Sequence, residues 1–119
     1  MIYGIGVDMA SIARVQRACE KKGFEARFFS EAEQQMFAQY PHRRAANFAA
    51  KEAFAKALGT GIRGFSLHEV AALRDELGKP YYVFSGKAAE IVAEKGLTAH
   101  LSISDEGDSV IAMALLEQR

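Results

Sequence analysis

Apolar and polar positions change period several times along the chain, and each change marks an element. From Ile2 to Asp8, Ile2, Gly4 and Gly6 alternate with Tyr3, Ile5 and Val7. This predicts a strand that ends at Asp8 and whose glycines admit close approach of another backbone. From Ile12 to Lys22 the period becomes helical. Ile12, Val15 and Cys19 fall within about 60° of one another at 100° per residue, with Arg14, Arg17 and Lys21 on the opposite side. Gly23 stops this helix.

A second helix starts at Ser30, where Ser30 and Glu33 have the spacing of a capping box, and ends before Pro41. A third and longer one runs from Arg43 to Leu58, rich in Ala, and stops at Gly59-Thr60-Gly61. Strand patterns then return at Leu67 to Leu73 and Tyr81 to Phe84, joined by the loop Asp75 to Pro80. A short helix over Lys87 to Lys95 follows. His100 to Ser104 and Ser109 to Leu116 then form a hairpin around Glu106-Gly107-Asp108. This order predicts an α+β fold, a single domain over residues 1–119 with a mainly antiparallel sheet packed against a long helix. A parallel, doubly wound arrangement is disfavoured.

Composition narrows the function classes. A chain of 119 residues buries roughly two-thirds of its unfolded surface, so it holds a core without disulfides or a structural metal. The single Cys19 excludes a disulfide framework within the chain and reads as a buried small residue in a reducing compartment. No run of apolar residues has the length of a membrane span, and the first residues lack the pattern of a signal peptide, so the expectation is a soluble, cytoplasmic protein. The balance of 15 basic and 15 acidic residues argues against a nucleic-acid binder. Yet residues 1–63 hold 10 basic and 6 acidic side chains and residues 64–119 hold 5 and 9, so the halves carry +4 and −4. A zero sum can conceal a basic face.

Candidate chemistry gathers in the first half. Gly4-Ile5-Gly6-Val7-Asp8-Met9 lacks the third glycine of a dinucleotide fingerprint, and no βαβ unit follows it. Asp8, at a strand end, is either a helix cap or turn residue or a hard oxygen ligand for Mg²⁺. Glu52 and Lys56 lie one above the other on the long helix, with Ala45 and Ala49 leaving room on the same side. On spacing alone they are an ordinary surface pair. Facing Asp8, they would suit a Mg²⁺-diphosphate, the acids holding the metal and the lysine a phosphate oxygen. Gly59-Thr60-Gly61 is a helix stop whose amides would also allow phosphates to approach. His42, His68 and His100 have no metal-ligand spacing.

Taken together, Gly4-Ile5-Gly6-Val7-Asp8, Phe48-Ala49-Ala50-Lys51-Glu52-Ala53, Lys56-Ala57-Leu58-Gly59-Thr60-Gly61 and Gly78-Lys79-Pro80 occur in an order that resembles the holo-acyl-carrier-protein synthases, the short bacterial 4′-phosphopantetheinyl transferases. The resemblance spans essentially the whole chain. It implies transfer of 4′-phosphopantetheine from coenzyme A to a serine of apo-acyl carrier protein, releasing adenosine 3′,5′-bisphosphate, for fatty acid biosynthesis. By the same resemblance Asp8 and Glu52 bind Mg²⁺, Lys56 contacts the phosphates, Arg14, Arg17 and Lys21 dock the acidic carrier, and the chain forms a homotrimer with sites between subunits. Two positions depart from the common pattern at the nucleotide end of coenzyme A. Asn47 stands where many members have Arg, and Asp105 where many have His, which leaves Arg43, Arg44 or a neighbouring chain to meet the 3′-phosphate. The rival expectation is a non-catalytic α+β oligomeric module in which Glu52 and Lys56 form only a surface ion pair.

Overall fold

A computed structural model of the chain describes residues Met1 to Arg119. The first alternation forms strand β1, Ile2–Ser11, which runs past Asp8 because Met9 and Ala10 continue it and pair with Ile111 and Val110. Helix α1, Ile12–Cys19, is capped by Ser11, whose hydroxyl accepts from the Arg14 amide, while Asp108 accepts from the Ala13 amide. It stops short of Lys22. The chain turns at Glu20 and Lys21, whose amides fold back onto the carbonyls of Arg17 and Ala18.

A single-turn helix absent from the sequence expectations, α2 at Phe24–Phe28, follows Gly23, which sits at φ 82°. Its Phe24 and Phe28 rings lie 6.5 and 6.3 Å from that of Phe48. Helix α3, Glu31–Gln39, begins at the expected capping box, both halves of which are formed. Helix α4, Arg43–Leu58, has the expected bounds and ends at Gly59 in the left-handed conformation.

Beyond α4 the expected strand at Leu67 opens instead as a 3₁₀ turn, Leu67–Glu69, where the Glu69 carboxylate accepts from the Ser66 amide. Strand β2, Val70–Arg74, then pairs antiparallel with β3, Pro80–Phe84. Asp75 closes the hairpin by accepting from the amides of Leu77 and Lys79. Helix α5, Gly86–Glu94, leads into strand β4, Leu97–Glu106, and its hairpin partner β5, Ser109–Gln118. All pairing is antiparallel, as expected, but it divides into two sheets: β1-β5-β4, and the β2-β3 hairpin. No helix is long and apolar enough to cross a membrane.

Helix α4 lies at the centre. Its Ala49, Ala50, Ala53, Phe54 and Ala57 are fully or almost fully buried, in one cluster with Ala112, Ala114 and Leu116 of β5 and Val70 and Ala72 of β2. The alanines let both sheets approach closely, and burying the apolar area stabilises the arrangement by about 25 cal/mol per Å².

One polar network crosses this core. Lys51 Nζ donates to Glu33 Oε1 at 2.6 Å and to the carbonyls of Val70 at 2.7 Å and Leu67 at 3.0 Å. Glu33 Oε2 accepts from Asn47 Nδ2 at 2.8 Å and from the Ala72 amide at 3.1 Å. Lys51, Glu33 and Asn47 are fully buried, and no buried side-chain polar atom lacks a partner. Burial pulls the Lys51 pKa down, opposed by the charge of Glu33 and the hydrogen bond to it. The network fixes α4 to α3 and β2.

Candidate active site

Asp8 points to the inner side of β1, on the same side as Gly4 and Gly6. Those glycines bring β1 onto α4 without an intervening side-chain layer. A Cβ on Gly4 would collide with the Ala57 carbonyl, and one on Gly6 with the Ala53 carbonyl and the Ala57 amide. Asp8, two residues on, is thereby brought beside Lys56. Lys56 Nζ donates to Asp8 Oδ1 and to the Val7 carbonyl, each at 3.0 Å. The lysine is 54% exposed and the aspartate 20%.

Glu52 completes the group. Its pKa is raised, first by burial and then by the charge of Asp8, with Lys56 acting in the opposite direction. Two carboxylates and one ammonium leave a net negative charge in a partly desolvated place. No cluster of three or more His, Cys, Asp or Glu side chains is arranged to hold a metal. Two neighbouring carboxylates are a donor set of the kind Mg²⁺ takes, since it characteristically uses one or two protein carboxylates and fills its remaining positions with water and substrate phosphate oxygens. A closed protein cage, as for a structural zinc, does not fit.

Beside Asp8 a groove of about 290 Å³ runs between β1, α1 and α2, lined by Arg14, Val15, Ala18, Phe24 and Phe48. Arg14 and Arg17 are exposed on α1, and Lys21 is exposed in the turn after it. One flank of the carboxylate pair is therefore basic.

The remaining candidates are dispersed along α4. Gly59, Thr60 and Gly61 are exposed at its C-terminal end. The Gly59 amide is committed to the carbonyls of Ala55 and Lys56, which is the helix-stop role. Thr60 Oγ1 donates to the Gly61 carbonyl. At the other end Arg43 and Arg44 part company. Arg44 Nε donates to Glu25 Oε1 at 2.8 Å, and its guanidinium lies over the Phe37 ring. Arg43 instead stacks on Tyr40 at 3.9 Å and lines a second cleft with His42 and Arg74. Nine residues separate Arg43 from Glu52, about 13 Å along the axis, so the arginines are not part of the Asp8–Glu52 centre of their own chain. Sequence reasoning missed Arg74. Nothing in its local pattern distinguishes it from any polar residue that closes a strand.

Residues 4–114 match the model of the 4′-phosphopantetheinyl transferase superfamily. Among individual proteins, the chain is 50% identical to a holo-[acyl-carrier-protein] synthase of Aromatoleum aromaticum over the full length of both. Its backbone resembles the crystal structure of the holo-[acyl-carrier-protein] synthase of Neisseria meningitidis, with a TM-score of 0.89 at 42% identity, covering 99% of this chain and all of that one. A holo-(acyl-carrier-protein) synthase from Bacillus anthracis, solved in complex with CoA (3′,5′-ADP), aligns with a TM-score of 0.82 at 31% identity, covering 100% of this chain and 99% of that one.

Proposed function

Because the chain belongs to the 4′-phosphopantetheinyl transferase superfamily, we infer that it is a holo-acyl-carrier-protein synthase, moving 4′-phosphopantetheine from coenzyme A to a serine of apo-acyl carrier protein. The observation that carries this for the present chain is the convergence of Asp8, Glu52 and Lys56 where β1 crosses α4. An isolated surface ion pair would not require two glycines and a second carboxylate to be built against it.

In the reaction the serine oxygen bonds to the β-phosphorus of coenzyme A, the bond from that phosphorus to the bridging oxygen breaks, and adenosine 3′,5′-bisphosphate leaves. Lys56, released from Asp8, donates to a phosphate oxygen and stabilises the charge that develops there. The serine proton needs an acceptor, for which Glu52 or a water at the site would serve. Asp8 and Glu52 would hold Mg²⁺, which when bound neutralises charge on the diphosphate. Arg14, Arg17 and Lys21 form the surface for the acidic carrier, and the groove beside Arg14 leads from that surface to Asp8.

The assembly is a homotrimer with sites between subunits. Support comes from the outer face of the β1-β5-β4 sheet, where Ile5, Val7 and Met9 are 62, 50 and 66% exposed and Ile111 and Met113 are each 38% exposed. A contiguous apolar face of this kind marks an interface. The pathway served is fatty acid biosynthesis, and the compartment the cytoplasm. Incubation with coenzyme A, Mg²⁺ and a bacterial apo-acyl carrier protein should add one phosphopantetheine to the carrier by mass spectrometry. No mass gain across several bacterial carriers overturns the assignment.

A further inference from the structure

The basic surface of α1 and the Asp8 carboxylate sit on consecutive elements. Ser11, the last residue of β1, follows Asp8 on that strand, and α1 begins at the next position and carries Arg14 and Arg17. In the transferase reading above, on which the following rests, a carrier held on α1 must deliver its serine to the Asp8, Glu52 and Lys56 group. The angle between β1 and α1 governs that delivery.

A residue distant in sequence holds this junction. Asp108, in the turn between β4 and β5, accepts from the Ser11 hydroxyl through Oδ2 and from the Ala13 amide through Oδ1 at 3.0 Å. Its carbonyl accepts from the Ile12 amide at 2.8 Å. Ser11, Ile12 and Ala13 thus all donate to one partner. The Ser11 oxygen in turn accepts from the Arg14 amide, so the contact reaches the first docking arginine. The Asp108 pKa is lowered, first by the Ser11 hydroxyl and then by the Ala13 amide, and the charge of Arg17 also favours the ionised form.

The apolar contact beneath α1 is small. Its one buried side chain, Val15, packs with Ala45, Ala46 and Val110, flanked by the partly buried Ile12 and Cys19. Apolar burial holds the helix down without fixing its direction, whereas hydrogen bonds are directional. A helix of eight residues is about 12 Å long, so a tilt of about 10° at its start moves its far end, with Arg17, by about 2 Å.

We propose that Asp108 is a positioning residue for carrier use: it sets the angle of α1 against β1 and so the path of the carrier serine to the catalytic group. A simple surface charge at this place would act with the opposite sign. An acidic group near Arg17 repels an acidic carrier, and neutralising it would then strengthen docking.

Asp108→Ala and Asp108→Asn separate the two. Both remove the charge, but the Asn amide can still accept from Ala13 and donate to the Ser11 oxygen. Asp108→Ala should raise the KM for an acidic apo-acyl carrier protein about 10-fold and change the KM for coenzyme A less than about 2-fold, while Asp108→Asn stays within about 2-fold of the parent for both. Carrier affinity, read by fluorescence anisotropy of labelled apo-carrier without coenzyme A, should follow the same order. Unchanged or tighter carrier binding in Asp108→Ala, equal losses for the two substrates, or equal losses in the two variants overturns the proposal. If Asp108→Ala does not fold, Ser11→Ala, which removes one of the bonds, should raise the carrier KM alone, and no rise overturns the proposal. A parent that modifies no carrier counts against the transferase reading instead. Hydrogen exchange decides the positioning in that case: Asp108→Ala should speed exchange along α1 about 10-fold or more and leave β1 around Asp8 protected. Unaltered exchange in α1 overturns the role assigned to Asp108.

Discussion

Gly6 of β1 rests on the carbonyl oxygen of Ala53 of α4, with no room for a Cβ between them. Strand and helix therefore meet backbone to backbone, and Asp8 is held beside Lys56 by that contact. Gly6→Ala forces the strand outward. We expect a loss of about 1–3 kcal/mol, the usual cost of inserting a carbon into a packed site, visible as a lower urea midpoint. Activity should fall by more than stability accounts for, measured at a temperature where the variant is fully folded, because Asp8 moves away from Glu52. A stable variant with normal rates would mean that the close approach is not what assembles the site.

Glu52 carries a raised pKa, so the folded state binds a proton more readily than the unfolded chain. The sign of the linkage follows. The associated stability is fully present below the unfolded value of 4.5 and is lost as pH rises through the folded value. Glu52→Gln removes the charge, and at pH 7 it should melt at a higher temperature than the parent. The advantage should vanish below about pH 4, where the parent carboxyl is protonated in both states. The same variant should retain little transferase activity. A lower melting temperature at pH 7 would contradict a net cost of holding the Glu52 charge, which comes first from burial and then from Asp8.

Lys51 and Glu33 test the network that fixes α4. Lys51→Met leaves the Glu33 carboxylate buried without its ammonium partner. A broken buried pair typically loses about 3–5 kcal/mol, a large share of the stability of a small domain. Replacing both residues, Lys51→Met with Glu33→Leu, should lose much less, since no lone charge remains. The two chemical-denaturation curves decide this, and equal losses would show that the pair is not coupled.

That network also marks where the sequence stops being legible. Helix α4 and the capping box at Ser30 have local signals: an Ala-rich run closed by glycine, and a Ser and a Glu three residues apart. The three active-site candidates are legible for a related reason, since Glu52 and Lys56 share a helix face and the spaced glycines lead to Asp8. Glu33 reads as a capping residue and Lys51 as one more helix lysine. Their meeting joins positions 18 apart, and no periodicity encodes it. Arg74 and Asn47, 27 apart, are hidden in the same way. Helix α2 escapes notice because one turn is too short to set a period, and it is held by the Phe48 ring rather than by propensity. The division into two sheets depends on tertiary pairing, which two hairpin patterns alone do not specify.

The basic surface of α1 predicts a selective effect on the carrier. Reversing Arg14, Arg17 and Lys21 to Glu should raise the KM for an acidic acyl carrier protein about 10-fold or more, with a change of less than about 2-fold in the KM for coenzyme A. In the parent the carrier KM should rise steeply with salt, because exposed charges beyond about 8 Å are screened at physiological ionic strength. Equal effects on the two substrates would assign these residues to the nucleotide instead.

The apolar sheet face supplies the last test, because it connects oligomeric state with activity. Val7 and Met113 lie opposite each other in the β1–β5 register and both point outward. Neither touches the Asp8 carboxylate, which occupies the inner face of the same strand. A monomeric enzyme with a self-contained site would tolerate Val7→Glu at that exposed position with little change in rate. If the site is shared between subunits, one buried, unpaired carboxylate per protomer disrupts the interface. Light scattering should then show a shift from a trimer toward the 13.0 kDa single chain, with activity falling in parallel and partly restored at high protein concentration. A Val7→Glu monomer with full activity would place the whole site within one subunit and remove the trimer from the mechanism.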